Sequence, residues 1–138
     1  VLIEGVDIVP ERGDALRTGE PARVVLRYRS RVELARVHWG INLWTPDLSV
    51  CVANGDDDRP MGTLRIGTGV LSCRIPSLPL NRGTFAIRAA IVDTSGVLLT
   101  DSGWKTPAGS ISIKSTPSRS GNMGATLGAL IRLDVEWE

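Results

Sequence analysis

The sequence predicts an all-β domain, an antiparallel β-sandwich of eight or nine strands. Three observations carry this. Apolar and polar residues alternate with period 2 along most of the chain, long helical repeats are hard to find, and turn residues recur every few positions. A closed barrel is the alternative, and there is no internal repeat. The first strand spans Leu2 to Val9 and closes at Pro10 and the turn-rich Glu11-Arg12-Gly13-Asp14. Thr18-Gly19-Glu20-Pro21 leads into a second, where Ala22, Val24, Leu26 and Tyr28 alternate with Arg23, Val25, Arg27 and Arg29. The third runs from Arg36 to Trp44, with Val37, Trp39, Ile41 and Leu43 on one face and Arg36, His38, Gly40, Asn42 and Trp44 on the other. Thr45-Pro46-Asp47 turns the chain into a strand over Leu48 to Ala53.

Asn54 to Gly62 reads as a polar loop. Leu64 to Ile75 reads as one long extended stretch, weakened at Gly67 and Gly69, where a bulge is expected. After Pro76 and Pro79, Thr84 to Asp93 turns Phe85, Ile87, Ala89 and Ile91 inward and Ala86, Arg88, Ala90 and Val92 outward. Thr94-Ser95-Gly96 turns into Val97 to Thr100, and Ser110 to Lys114 is another short strand. Ser115 to Gly128 is rich in Ser and Gly. A final strand, Leu130 to Trp137, sets Ile131, Leu133, Val135 and Trp137 against Arg132, Asp134 and Glu136. A turn of helix over Asn122 to Leu130 is the competing reading there, weakened by Gly124 and Gly128.

Composition excludes several function classes. With 138 residues the chain suits one domain, able to bury about two-thirds of its unfolded surface. No uncharged apolar run approaches the roughly 20 residues of a membrane span, and no signal segment is visible. A net charge of +1 offers no basic footprint for nucleic acid. One His and two Cys cannot by themselves build a tetrahedral zinc site, and no cofactor is expected. The chain begins at Val1, not Met, so a domain cut from a longer protein is expected. Nearly all of the 16 cationic residues are Arg, whose planar fork suits bidentate bonds to paired oxygens, although codon bias explains the excess as simply.

No catalytic constellation emerges. His38 has no nucleophile near it in sequence and no G-x-S-x-G elbow to serve, so it is a surface residue or a polar ligand contact. Cys51 and Cys73 sit in separate strands that can face each other across the core, and are expected as buried free thiols, with a disulfide the alternative. Asp56-Asp57-Asp58 lacks the spacing and distal Glu of an EF-hand and reads as a solvated acidic loop. Gly67-Thr68-Gly69 has no following Lys-Ser or Lys-Thr and is not a phosphate loop. No pair of carboxylates stands out for glycoside hydrolysis.

The tryptophans say more. Trp39 and Trp137 have core parity, and Trp104 lies in a loop. Trp44 has the opposite parity and sits with His38 and Asn42 on a polar sheet face. If the second and sixth strands neighbour the third, Arg27, Arg29 and Arg88 join that face. One flat aromatic among hydrogen-bonding side chains suits a sugar ring, while an ordinary solvent-facing sheet is also polar. The candidate glycan site is therefore Arg27, Arg29, His38, Asn42, Trp44 and Arg88.

The order of landmarks resembles a known family. These are Gly19-Glu20, Trp39-Gly40-Ile41, Asn54, Leu78-Pro79-Leu80-Asn81-Arg82-Gly83-Thr84-Phe85, Asp101, and the terminal Leu133-Asp134-Val135-Glu136-Trp137. Their order resembles the C-terminal carbohydrate-binding domain of ATP-binding subunits in ABC transporters that export O-antigen polysaccharides, the Wzt type. The resemblance spans nearly the whole chain. It implies an immunoglobulin-like sandwich following a nucleotide-binding domain in the intact subunit, at the cytoplasmic face of the bacterial inner membrane. It also implies recognition of a finished polysaccharide, often at its non-reducing end, as cargo for the transporter's membrane subunits. The ATPase machinery would lie outside this chain, so no enzyme activity is expected of it. Members can dimerise by exchanging the C-terminal strand, which makes a homodimer exchanging 130–137 the expectation over pairing within one chain. The acidic run at Asp56 to Asp58 and the Gly/Ser-rich segment match no landmark, and no binding residue is carried over from the family. The competing reading is a dimerisation or interaction module without glycan binding.

Overall fold

The computed structural model describes residues 1–55, 62–102, 107–114, 130–132 and 136. Ten strands are seen there: β1 (Leu2–Pro10), β2 (Leu16–Arg17), β3 (Ala22–Ser30), β4 (Leu34–Trp44), β5 (Cys51–Gly55), β6 (Gly62–Leu64), β7 (Gly67–Ile75), β8 (Gly83–Val92), β9 (Leu98–Asp101) and β10 (Gly109–Lys114). They form the expected immunoglobulin-like β-sandwich. One sheet has the order β1-β3-β7. The other runs β2-β10-β8-β4-β5, with β6 also on β4 and β9 also on β8. Pairings are antiparallel except the short parallel contact of β2 with β10. No helix among the described residues is long and apolar enough to cross a membrane.

Strand alternation places the core where the residue pattern predicts. Val6, Ile8, Ala22, Val24, Leu26 and Tyr28 of the smaller sheet are buried. They meet Val37, Trp39, Ile41, Leu43, Phe85, Ile87, Ile91, Ile111 and Ile113 of the larger one in a single apolar cluster. Each large side chain so buried contributes on the order of 1.5–3 kcal/mol.

Two expectations about strand limits change. Residues 64–75 are not one strand. Gly62–Leu64 pairs with β4 in the larger sheet, whereas Gly67–Ile75 pairs with β3 in the smaller one. The crossing occurs over Arg65 and Ile66 and ends at Gly67, whose φ of 96° needs glycine. Tyr28 holds this corner, its buried hydroxyl accepting the Arg65 N–H at 3.0 Å and donating to the Thr63 carbonyl at 3.4 Å. The expected strand from Leu48 starts only at Cys51, because Thr45 to Val50 form a closed turn. Thr45 N–H donates to the Val50 carbonyl at 2.9 Å, Leu48 takes a left-handed φ of 58°, and Asp47 accepts from the Thr45 and Ser49 hydroxyls.

The two cysteines are a further correction. Both are free and in opposite sheets, as expected, but both are exposed instead of buried. Cys73 shares the inward parity of Leu71, yet β7 is the outer strand of its sheet and the sandwich gapes beside it. That gap is an apolar groove of about 420 Å³, lined by Trp39, Ile41, Leu43, Ala53, Cys73 and Leu78 among others.

Two of the sequence landmarks come together at one end. Gly19 N–H donates to the Leu78 carbonyl, Leu78 N–H to the Glu20 carbonyl, and the Thr18 hydroxyl to the Leu80 carbonyl. On its other side this segment meets the start of the expected last strand. Leu80 bridges Ile131, Asn81 N–H donates to the Leu130 carbonyl and Arg132 N–H to that of Pro79, within one chain. These landmarks serve as fasteners of the fold. The remainder of that strand, with Trp137, lies outside the described residues apart from Glu136, as do Asp56–Asp58, Trp104 and 115–129.

Candidate functional site

The outward faces of β4 and β8 form the candidate site, and the strand register builds it. His38 lies opposite Val92, Gly40 opposite Ala90, Asn42 opposite Arg88, and Trp44 opposite Ala86. Asp101 of β9 lies opposite Ala90 on its other side. The middle row, Gly40-Ala90, therefore carries almost no side chain, while the rows on either side stand tall. The result is a trough of about 600 Å³, within the range of small-ligand clefts. Its floor is Gly40 and Ala90, with Trp44, Asn42 and Arg88 along one side and His38 and Val92 along the other.

The turn after β8 completes the trough with Thr94, Ser95 and Gly96. Its geometry follows from Asp93, whose carboxylate accepts from Ser95 N–H at 2.8 Å, Ser95 hydroxyl at 2.7 Å and Val97 N–H at 2.9 Å. Gly96 supplies the positive φ of 84° that the reversal needs. The Ser95 hydroxyl bond first, then the Val97 and other backbone donors, hold the Asp93 carboxyl below the ordinary aspartate value. Asp101 is fixed by its neighbour, since Ser102 N–H donates to the Ala89 carbonyl and its hydroxyl accepts the Ala89 N–H.

Four of the six residues singled out from sequence meet in this trough: His38, Asn42, Trp44 and Arg88. Arg88 is only 7% exposed, and Trp44 and Asn42 are half-buried. Arg27 and Arg29 do not join them. Their strand, β3, lies in the opposite sheet between β1 and β7 and never touches β4. There they face outward, Arg27 paired with Asp7 and Arg29 with Glu4 at 2.8 Å. Period-2 parity told which side of a strand they occupy but not which sheet. Sequence reasoning missed Asp101, Thr94 and Ser95 as lining residues, and Gly40 and Ala90 as the floor. The available signal was a pair of small residues at outward parity on two strands.

Among the described residues the trough combines a half-buried indole, one guanidinium, one carboxylate, an imidazole, an amide and two hydroxyls. This mixture offers both hydrogen-bond donors and acceptors.

A match across the whole chain accompanies this geometry. Comparison with the crystal structure of the C-terminal domain of wzt covers 99% of this chain and 82% of that chain, with a TM-score of 0.69 and 15% sequence identity. The fold is that of the Wzt C-terminal domain. The likeness to Wzt lies in three-dimensional arrangement, since few residues are shared. The CARDB domain of a Pyrococcus furiosus protein, solved with di-metal ions, covers 84% of this chain at 10% identity and a TM-score of 0.43, too low to carry an argument. No family model and no curated protein matches the sequence. The Wzt-like fold thus has a polar trough on its larger sheet, open to solvent.

Proposed function

We propose that this chain is a non-catalytic glycan-binding module that takes an O-antigen-type polysaccharide as cargo for an ABC transporter. The observation that carries the reading is the trough across β4 and β8. Trp44 there stands next to the Asn42-Arg88 row, with the Thr94 and Ser95 hydroxyls at the far end of the trough, on a fold shared with the Wzt C-terminal domain. Trp44 offers an apolar surface to the carbon face of a sugar ring, and the polar neighbours bond its hydroxyls. The module works on the cytoplasmic side of the bacterial inner membrane, joined to a nucleotide-binding domain that supplies the ATPase, and as a homodimer.

Titration of bacterial polysaccharides against Trp44→Ala and Ala90→Leu tests this. The first removes the stacking surface, and the second raises the floor. Each should weaken binding at least tenfold while leaving the urea unfolding midpoint within experimental error. Unchanged affinity in both folded variants removes the trough from the binding site.

A second reading, a dimerisation module without glycan binding, draws on the apolar groove between the sheets and on the docking of residues 130–132 beside it at Leu80. Sedimentation of the whole chain and of a chain ending at Gly128 separates the two. Loss of a dimer on truncation, with no glycan binding by the intact chain, favours the second.

A further inference from the structure

We propose that the trough selects an uncharged stretch of glycan and rejects acidic sugars, an inference that rests on the glycan reading above. The Arg excess in the sequence points the other way, toward an anionic polymer, and the structure shows where that excess goes. Arg27 and Arg29 pair with Asp7 and Glu4, and Arg23 and Arg74 converge on Glu11, all on the outer face of the opposite sheet. These ion pairs sit on a solvated surface of the opposite sheet, away from β4 and β8. Arg36 continues the trough's strand face beyond His38, but it does not line the trough.

Within the described lining, Arg88 is balanced by Asp101, so the formal charge is zero with His38 neutral. Recognition of a carboxylate, sulfate or phosphate calls for surplus donors without competing acceptors, usually a bidentate Arg reached from solvent. Here Arg88 is 7% exposed as a residue, and its Nε is buried. The remaining hydrogen-bonding groups, the Asn42 amide and the Thr94 and Ser95 hydroxyls, both donate and accept, as sugar hydroxyls do. An acidic sugar entering this space brings its charge toward the Asp101 carboxylate and meets only the largely buried Arg88 as a cation among the described lining. Burying a charge without a new partner is the costlier outcome.

The test is an array of bacterial surface polysaccharides, neutral and acidic, probed with the intact chain at low and physiological salt. Binding should be confined to neutral glycans, with affinity changing less than twofold between 20 and 300 mM NaCl, concentrations chosen to bracket a Debye length of about 8–10 Å. Asp101→Asn, which gives the lining a net positive charge, should raise binding to acidic glycans at least fivefold. Hits confined to acidic glycans overturn the proposal but leave the glycan reading standing. Failure of Asp101→Asn to gain acidic binding also overturns it. No binding to either class overturns the glycan reading, and the selectivity with it.

Discussion

Gly69→Ala should destabilise the domain although it adds one methyl group to a strand. A Cβ at position 69 would lie 2.4 Å from both Cζ and Oη of Tyr28 and 2.8 Å from its Cε1. Tyr28 is 2% exposed and its hydroxyl is held at the corner by Arg65 N–H, so the ring must move about 1 Å toward packed neighbours. Overpacking of this kind costs roughly 1–3 kcal/mol, and loss of the Arg65 bond adds about 1 kcal/mol. Against this, replacing glycine restricts the unfolded chain and gains roughly 0.4–1 kcal/mol. The expected net loss is about 1–3 kcal/mol. With an m value of about 1–3 kcal/mol/M, the urea midpoint should fall by about 1 M at unchanged slope, followed through tryptophan fluorescence. In a Tyr28→Leu background, where the shorter side chain ends at Cδ, the same substitution should cost nothing or stabilise slightly. A Gly69→Ala variant as stable as the parent, or one whose cost persists in the Tyr28→Leu background, refutes the reasoning.

Two other outcomes follow from local geometry. Asp93 has a folded pKa depressed by the Ser95 and Val97 bonds, so its contribution is present above the unfolded value of about 3.9 and is lost as pH falls through the lower folded one. Amide exchange at Ser95 and Val97 should therefore accelerate selectively below about pH 4, and Asp93→Asn should remove that pH step; exchange that rises equally across β8 and β9 contradicts it. Both cysteines should react with a thiol reagent in the native protein, Cys73 with a pH midpoint above that of an ordinary thiol. Partial burial raises its thiol, more than Arg23 lowers it. Protection of Cys73 until urea is added would show a closed groove.

The reading from sequence succeeded where alternation alone decides the outcome. Trp39, Phe85 and Ile87 had to face inward, and His38, Asn42, Trp44 and Arg88 had to share the other side once β4 paired with β8. It failed where the answer depends on which strands are neighbours. Arg27 and Arg29 carry the same outward pattern as Arg88 but belong to another sheet. Residues 64–75 change sheets without changing composition, because the crossing is a backbone event between Arg65 and Gly67. Asp101, Thr94 and Ser95 became lining residues only through the β8–β9 register and the Asp93 turn. Cys73 had core parity, but its strand ends the sheet, and nothing in the local pattern reports that.

The two faces of β4 give one strand two separable kinds of freedom. Val37, Trp39, Ile41 and Leu43 are constrained by the packed interior, while Gly40 and Asn42 between them border only the trough. Exchanging small residues along that outer row can reshape what fits without disturbing what holds the sheets together. The ladders to β5 and β8 fix the backbone beneath them, so a ligand meets a surface already ordered and gives up little conformational entropy of the protein on binding. Diversification of ligand preference on this scaffold can therefore proceed by single side chains, at nearly constant fold stability.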